Sequence, residues 1–409
     1  MSTRGERVAN HELLKQVNAA LVYRLIDTQG PISRVDIAQI SALAPASVTN
    51  ITRQLLENGL IKEVAQQAST GGRPAISLTT EQSSFLFISC RLGREELQCS
   101  VMDLSGTMHQ HIVSPLIQHD AEGIIASLTQ AIQQKLKSVK PGQRFIAVAI
   151  TMAGLVDPQT GTVLYSPNHQ IENLELARHL QSVTDLPIYI GNDTRALALA
   201  EYYLGNAQGC QDFILVSIHH GAGAGIISNG QLLLGKNRNV GEIGHIQIDP
   251  FGDQCHCGNF GCLETLVSNK SIVAQTKALL TRGHPSGLTS DNLSIDIICK
   301  AAQEGDPVAV QIIRQTGNHL GRVLAMLVNL FNPEKILLAG EVVQSASVLF
   351  PALQQQIQRQ SLPNFNHELR LEKARFQGQG TMGGYALVKR ALHESDLLQR
   401  IMLPASDNS

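Results

Sequence analysis

The hydrophobic pattern of this chain changes period near residue 81, and that change constrains the fold more than any single motif. Before it, apolar residues recur at the three- and four-residue spacing of helix faces. After it, short runs rich in Ile, Val and Leu alternate with helical stretches, the pattern of an α/β body. The runs fall at 85–90, 97–104, 145–150, 187–191, 213–218 and 335–338. Helical patterns between them include 121–139, 174–183, 196–203 and 308–330. A tail at 387–402, with Leu392, Leu397, Leu398 and Ile401, reads as an amphipathic helix packing back on the body. At 409 residues the chain exceeds one compact core, so two or three domains are expected. The predicted division is 1–80, 81–195, 196–386 and a C-terminal helix and tail at 387–409.

The first eighty residues predict three helices and a hairpin. Leu13, Leu14, Val17, Leu21, Leu25 and Ile26 form an apolar stripe, which Gly30-Pro31 ends. Ser33-Arg34-Val35-Asp36 has the form of a capping box opening a second helix, with Val35, Ile37 and Ile40 as its apolar positions. Pro45 suits the first turn of a third helix, whose apolar face is Val48, Ile51, Leu55 and Leu56 and whose end is Asn58-Gly59. The rest of that helix carries Ser47, Thr49, Asn50 and Arg53, short hydrogen-bonding groups and a guanidinium of the kind that read base edges or hold phosphates. Arg34 joins them from the second helix. Two short strands, 60–64 and 75–78, flank a polar tip ending in Gly71-Gly72-Arg73. The glycines permit close backbone approach and the arginine suits a minor groove, as in the wing of a winged helix-turn-helix. A three-helix packing module without a DNA role is the alternative.

Charge and composition limit the partners. Residues 1–80 hold eight basic and six acidic residues, whereas the whole chain has net charge −2. Nucleic-acid binding must therefore come from a local face, doubled by dimerisation. Aromatics are 4% and Trp is absent, which argues against base stacking along a single strand. No apolar run approaches the ~18 residues that a bilayer span needs. The first residues lack the apolar segment of a signal peptide, so a cytoplasmic protein without membrane insertion is expected.

Three constellations carry chemistry. Cys255, Cys257 and Cys262 lie close to His245, and one imidazole with three thiolates makes a closed tetrahedral set, the pattern of a structural zinc ion. His256 competes with His245 for the fourth place, although its position between two cysteines is tight. Three reduced buried cysteines are the bland alternative. Gly221-Ala222-Gly223-Ala224-Gly225 follows an apolar strand and can present backbone N–H groups to an anion. Asn192-Asp193 stands at a strand end, where a carboxylate can bind a sugar hydroxyl or simply cap a helix.

Together these residues resemble the ROK family of repressors and sugar kinases, over roughly residues 10–405. The resemblance implies a winged helix-turn-helix followed by a two-lobed actin-like, ribonuclease-H-like body with a sugar between the lobes. It implies sugar contacts at Asn192, Asp193, Glu242, His245 and Glu264, with His245 also ligating zinc. Gly154, in Ala153-Gly154-Leu155-Val156-Asp157, matches a further family segment, with Ala153 replacing its Pro.

One family motif is broken. Family kinases hold magnesium and ATP phosphate with Asp-x-Gly-Gly-Thr-Lys, and the matching positions here are Arg91-Leu92-Gly93-Arg94-Glu95-Glu96. A cation cannot replace a magnesium carboxylate, and Arg94 adds bulk where the backbone must approach phosphate. On the nucleotide's other side stands Glu341, an anion. The resemblance therefore implies a repressor without kinase activity, acting on amino-sugar genes through double-stranded operator DNA. It implies a homodimer or homotetramer, and N-acetylglucosamine 6-phosphate as the inducer. Arg91, Arg94, Gly221 and Gly223 are the expected phosphate contacts. Two alternatives stay open: release by sequestration on a phosphotransferase-system permease, and an active sugar kinase.

Overall fold

The computed structural model describes residues 3–65, 76–378 and 380–402, with side chains from Leu13 onward. Three helices open the chain: α1 (Thr3–Gln29), then, after the two-residue strand β1 (Ile32–Ser33), α2 (Arg34–Ser41) and α3 (Pro45–Glu57). Ser33 caps α2 as expected, its hydroxyl accepting from the backbone N–H of Asp36, while the Asp36 carboxylate accepts from that hydroxyl and not from the Ser33 backbone. A hairpin of β2 (Ile61–Ala65) and β3 (Ile76–Thr80) follows, in a sheet ordered β1–β3–β2. The wing tip with Gly71, Gly72 and Arg73 lies outside the described residues. The apolar faces differ in part from expectation. Leu13, Leu14, Val17, Val35 and Ile40 are exposed, while Tyr23, Ile37, Val48, Thr52 and Leu55 are buried. Thr52 enters the core because it faces Arg34 across the helix pair and accepts from its Nε.

The body divides into two compact units. The first comprises the residues up to Met152, Gln159–Ile190 and those from Gly384; the second is Ala153–Pro158 with Gly191–Gly383. In the first, β4 (Phe85–Leu92), β5 (Glu96–Asp103) and β6 (Met108–Pro115) form an antiparallel meander. Helix α4 (Ala121–Leu136) leads to β7 (Arg144–Met152), parallel to β4. After the short strands β8 (Leu155–Asp157), β9 (Thr162–Ser166) and β10 (Ile171–Leu174) and the helix α5 (Leu176–Leu180), β11 (Ile188–Asn192) completes a sheet ordered β11–β7–β4–β5–β6. The helix predicted at 174–183 is shorter because its first residue ends a strand.

The second unit starts with α6 (Asp193–Leu204) and has its own five-stranded sheet. Its strands β12 (Phe213–Ile218), β13 (Ala222–Ser228) and β14 (Gln231–Leu232) are antiparallel. The helices α7 (Glu264–Val267), α8 (Asn269–Thr281), α9 (Ile295–Gln303) and α10 (Pro307–Phe331) precede β15 (Lys335–Ala339), which runs parallel to β12. Then come α11 (Ala346–Gln360), α12 (Pro363–Asn366) and β16 (Arg370–Lys373), parallel to β15. Gly317 and Gly321 let α10 lie against α11, since a Cβ at either would come within 2.7 Å of Ala352 or Gln356. The segment 219–225, read as a glycine turn, is mostly strand: Gly223 and Gly225 pair with Ser217 and Leu215.

The expected single tail helix is two, α13 (Met382–His393) and α14 (Asp396–Met402), separated at Ser395 with φ of 81°. Buried Leu392, Leu397 and Leu398 pack them onto the first unit. Helix α13 also grips α1. The carboxylate of Asp27, 3% exposed, accepts from Nζ of Lys389 at 2.7 Å and from Nε2 of His393 at 2.8 Å. Tyr23 packs edge-on against the His393 ring. Burial works against the Asp27 charge, but the His393 hydrogen bond and the Lys389 charge outweigh it, so its pKa falls below the usual carboxylate range. Burial depresses the His393 pKa, so its ring donates to Asp27 as neutral imidazole.

Breaking one side of such a group strands the other charge in the core. Asp27→Ala is expected to cost about 3–5 kcal/mol in chemical denaturation at pH 7, and Asp27→Leu with Lys389→Met to recover most of it. Because the folded state resists protonating His393, wild-type stability should decline as pH falls below about 6.5, and again below about 4 as Asp27 titrates.

Candidate sugar and metal site

The strand β13 organises the second unit's polar residues through glycines and small side chains. A Cβ on Gly221 would lie 2.6 Å from Glu264 Oε2, and one on Gly223 would lie 3.3 Å from Thr194 Oγ1. Gly244 approaches the carbonyl of Ala222, and Gly241, at φ of 97°, approaches that of Ala224. Close backbone packing therefore gathers Asp193, Glu242, His245 and Glu264 around the start of one strand, although they are spread over seventy positions of sequence.

Each of these residues is braced. The Asn192 side chain caps α6 by accepting from the backbone N–H of Arg195, and its amide donates to the carbonyl of Gly154. Gly154 has φ of 122°, a conformation that favours glycine. Asp193 accepts from the backbone N–H of Thr194 at 2.8 Å. Arg195 is buried and donates to Glu242 Oε1 at 3.2 Å, to Asn239 Oδ1 and to the carbonyl of Val240. Burial lowers the Arg195 pKa, and the charges of Glu242 and Asp193 oppose that shift. Sequence reasoning missed Arg195. Its spacing from Asn192 marks only a helix start, and its partners lie more than forty residues away.

The metal-ligating set assembles as read. The ligand atoms of His245, Cys255, Cys257 and Cys262 lie within 4.8 Å of one another. His245 Nδ1 is 3.6 Å from the Cys255 sulfur, and the sulfurs of Cys257 and Cys262 are 3.7 Å apart. The loop closes through bridges between Gln247 and Cys262 and between Gln254 and Phe260. Gly261, at φ of 60°, is required there, because a Cβ would overlap the Asp249 carbonyl. Burial pushes the Cys262 thiol up to about 12 and raises Cys255, whereas the Asn259 backbone lowers exposed Cys257. Three thiols and an imidazole fit a soft, tetrahedral ion, whose binding would release protons. His256 is not in that four-residue set, but with Cys255 and Glu264 it forms a second group whose ligand atoms lie within 4.8 Å of one another.

In the first unit, Arg91 is the penultimate residue of β4, and the turn after the strand closes with Gly93 N–H donating to the Glu96 carbonyl. Among the described residues, Arg91 Nε is buried without a hydrogen-bond partner. Arg94 is half-exposed and 3.5 Å from Glu95, a weak surface pair. Buried His169, passed over by sequence reasoning, likewise has an unpartnered Nδ1, and its ring stacks on His119. Glu341, in the second unit, accepts from His219 Nδ1 at 2.6 Å and from the Asn269 amide at 2.7 Å. Burial opposes its charge, but His219 and Asn269 bring its pKa down to about 2. It lines a cavity of about 350 Å³ with Gly340, Val343, Gln344, Lys373 and Gln377.

On the polar face of α3, Thr49, Asn50 and Arg53 are exposed and Ser47 is half-buried. Arg53 donates to Asn50 Oδ1 at 3.1 Å. Arg34 is engaged within its own domain, donating to Thr52 and to Glu63.

The model of the ROK family matches residues 87–391. The DNA-binding transcriptional dual regulator NagC of Escherichia coli K12 is 47% identical over 97% of this chain and 98% of its own length. The DNA-binding transcriptional repressor Mlc of the same organism is 38% identical over 95% and 97%. A crystal structure of a ROK family transcriptional regulator, described as a homologue of E. coli Mlc, shares 44% identity. Its TM-score is 0.89, over 95% of this chain and 99% of that one. A ROK family glucokinase from Streptomyces griseus, solved with glucose and AMPPNP, has a TM-score of 0.65 at 26% identity, over 75% of this chain and 98% of its own. The body thus has the actin-like, sugar-kinase type of fold, and the sequence is that of a NagC-like repressor. On the match over residues 87–391 and on relatives spanning nearly the whole sequence, the chain belongs to the ROK family.

Proposed function

We propose that this protein represses genes for N-acetylglucosamine uptake and breakdown, and that a sugar-derived inducer releases it from operator DNA. The observation that carries this reading is a complete set of braced candidate sugar residues in one unit, in a chain that carries an arginine where family kinases place a metal-binding aspartate. Asn192, Asp193, Glu242, His245 and Glu264 are retained in the second unit, with Gly154 bracing Asn192. In the first unit Arg91 stands at the end of β4, so no phosphoryl transfer is proposed and the protein is read as a non-enzyme. The 47% identity to proteins named N-acetylglucosamine repressor supports the choice of sugar.

Residues 1–80 are the proposed winged helix-turn-helix, with Ser47, Thr49, Asn50 and Arg53 on the reading helix and Gly71, Gly72 and Arg73 in the wing. Residues 81–195 and 196–386 are the proposed lobes, and 387–409 the C-terminal helical segment. A homodimer or homotetramer would present two reading helices to a near-palindromic operator in the cytoplasm. Sugar binding would shift the population toward a form that cannot span both half-sites. A structural zinc ion held by His245, Cys255, Cys257 and Cys262 would fix the loop that leads into Glu264. The phosphoryl group of N-acetylglucosamine 6-phosphate is assigned to Arg91 and Arg94, because the Nε of Arg91 is buried with its hydrogen bond unmade. Gly221 and Gly223, the other sequence-based phosphate contacts, pack against Glu264 and Thr194, which makes them the weaker choice. The 38% identity to Mlc keeps a second reading, in which a phosphotransferase-system protein lifts repression.

Operator binding at fixed salt, titrated with N-acetylglucosamine 6-phosphate, N-acetylglucosamine and glucose, is expected to show release by the sugar phosphate alone. Arg91→Ala should weaken that response about tenfold more than any binding of free sugar; equal losses would remove the phosphate assignment. Release by none of the sugars would favour the protein-partner reading. Separately, Cys257→Ser should lower metal content and thermal midpoint together and abolish operator repression. A metal-free protein that still represses would contradict the structural role.

A further inference from the structure

Glu264 follows Cys262 by two residues and opens α7. Its carboxylate is set from two directions. Oε1 lies 3.0 Å from Nδ1 of His256, the residue between the ligands Cys255 and Cys257. Oε2 occupies the space that a side chain at Gly221 would fill. The backbone is held as well, because Ser271 donates to the Glu264 carbonyl at 3.2 Å.

His256, Cys255 and Glu264 also bring their ligand atoms within 4.8 Å of one another, so His256 can face either a metal ion or the Glu264 carboxylate, and it lies nearer the carboxylate. Its Nδ1 is 3.9 Å from the Cys255 sulfur, farther than it is from Glu264. Its ring stands edge-on to that of His245, with centroids 5.1 Å apart. Glu264 is mostly buried at 18% exposure, while the His256 side chain is 46% exposed.

We infer that His256 is a positioning residue for sugar recognition. It holds one carboxylate oxygen of Glu264, Gly221 gives the other its space, and the remaining lone pairs are left to accept from a sugar hydroxyl. A carboxylate without these supports would sample several rotamers, and binding would carry the cost of ordering it. The metal loop then does more than staple the fold. By setting the path of residues 255–262 it sets His256, and through His256 it sets the Glu264 oxygens. This inference rests on the proposed sugar contact of Glu264.

The test is calorimetric titration of the full-length protein with N-acetylglucosamine 6-phosphate, and with N-acetylglucosamine. Metal content and thermal midpoint are measured on every variant. Glu264→Gln is expected to weaken sugar binding by tenfold or more, the scale of a lost hydrogen bond to a charged group. His256→Ala should weaken it about fivefold to tenfold with metal content and midpoint retained. His256→Asn, whose amide can donate to the same oxygen, should restore most of the affinity, and Gly221→Ala should weaken binding by crowding Oε2. Wild-type affinity in His256→Ala alongside a weakened Glu264→Gln would overturn the positioning role while leaving the sugar contact standing. Loss of metal from His256→Ala would make His256 a ligand and overturn it too. Unchanged affinity in Glu264→Gln would remove the sugar contact itself, and the inference with it.

Discussion

One buried carboxylate joins the two ends of this chain. Asp27 sits near the end of the first helix and receives both Lys389 and His393 from the helix α13. A carboxylate and an ammonium taken from water are costly unless each finds its partner at good geometry. The cluster therefore tolerates one arrangement of the N-terminal helix against the C-terminal one and penalises others. Lys389 also reaches the Leu104 carbonyl, as does the hydroxyl of Tyr385, so the grip extends to the loop after β5. On the proposed function, such a fixed attachment would let the first helix and the residues around α13 share one frame.

The second unit solves a different problem, which is to hold several acidic side chains in fixed orientations. It does so by giving each carboxylate its own donor. Glu242 has Arg195, Asp193 has the Thr194 backbone, Glu264 has His256 and Glu341 has His219 with Asn269. The supports come from several elements, with Thr194 and Arg195 sharing α6, so the oxygens are oriented locally. The metal loop contributes to this by closing a short, glycine-dependent path between His245 and Glu264.

On the proposed function, the candidate sugar residues and the altered turn after β4 would together let a kinase-type body serve as a sensor. Binding a sugar needs oriented acceptors, whereas transferring a phosphoryl group needs a metal and positioned phosphates. On that reading the second unit supplies the acceptors, and the arginine with its buried Nε and the turn carrying Arg94, Glu95 and Glu96 are unsuited to phosphoryl transfer.

Much of this was legible in the sequence because the physics involved is local. A capping serine, a proline at a helix start, a change of hydrophobic period and four ligands within eighteen residues all act over short stretches of chain. These predicted α2, α3, six strands of the body and the metal set. The sequence misjudged what depends on neighbours: which apolar residues of α1 and α2 would find a partner, that Gly221 to Gly225 would be largely strand, and that the tail would break at Ser395. Pairing across forty to more than three hundred residues was beyond its reach. Arg195 on Glu242 and Asp27 on Lys389 are consequences of which elements come to lie side by side. Local periodicity and capping determined the elements and the residue types available. Only tertiary packing decided which charges would meet, because a buried charge is stable solely where another part of the fold delivers its partner.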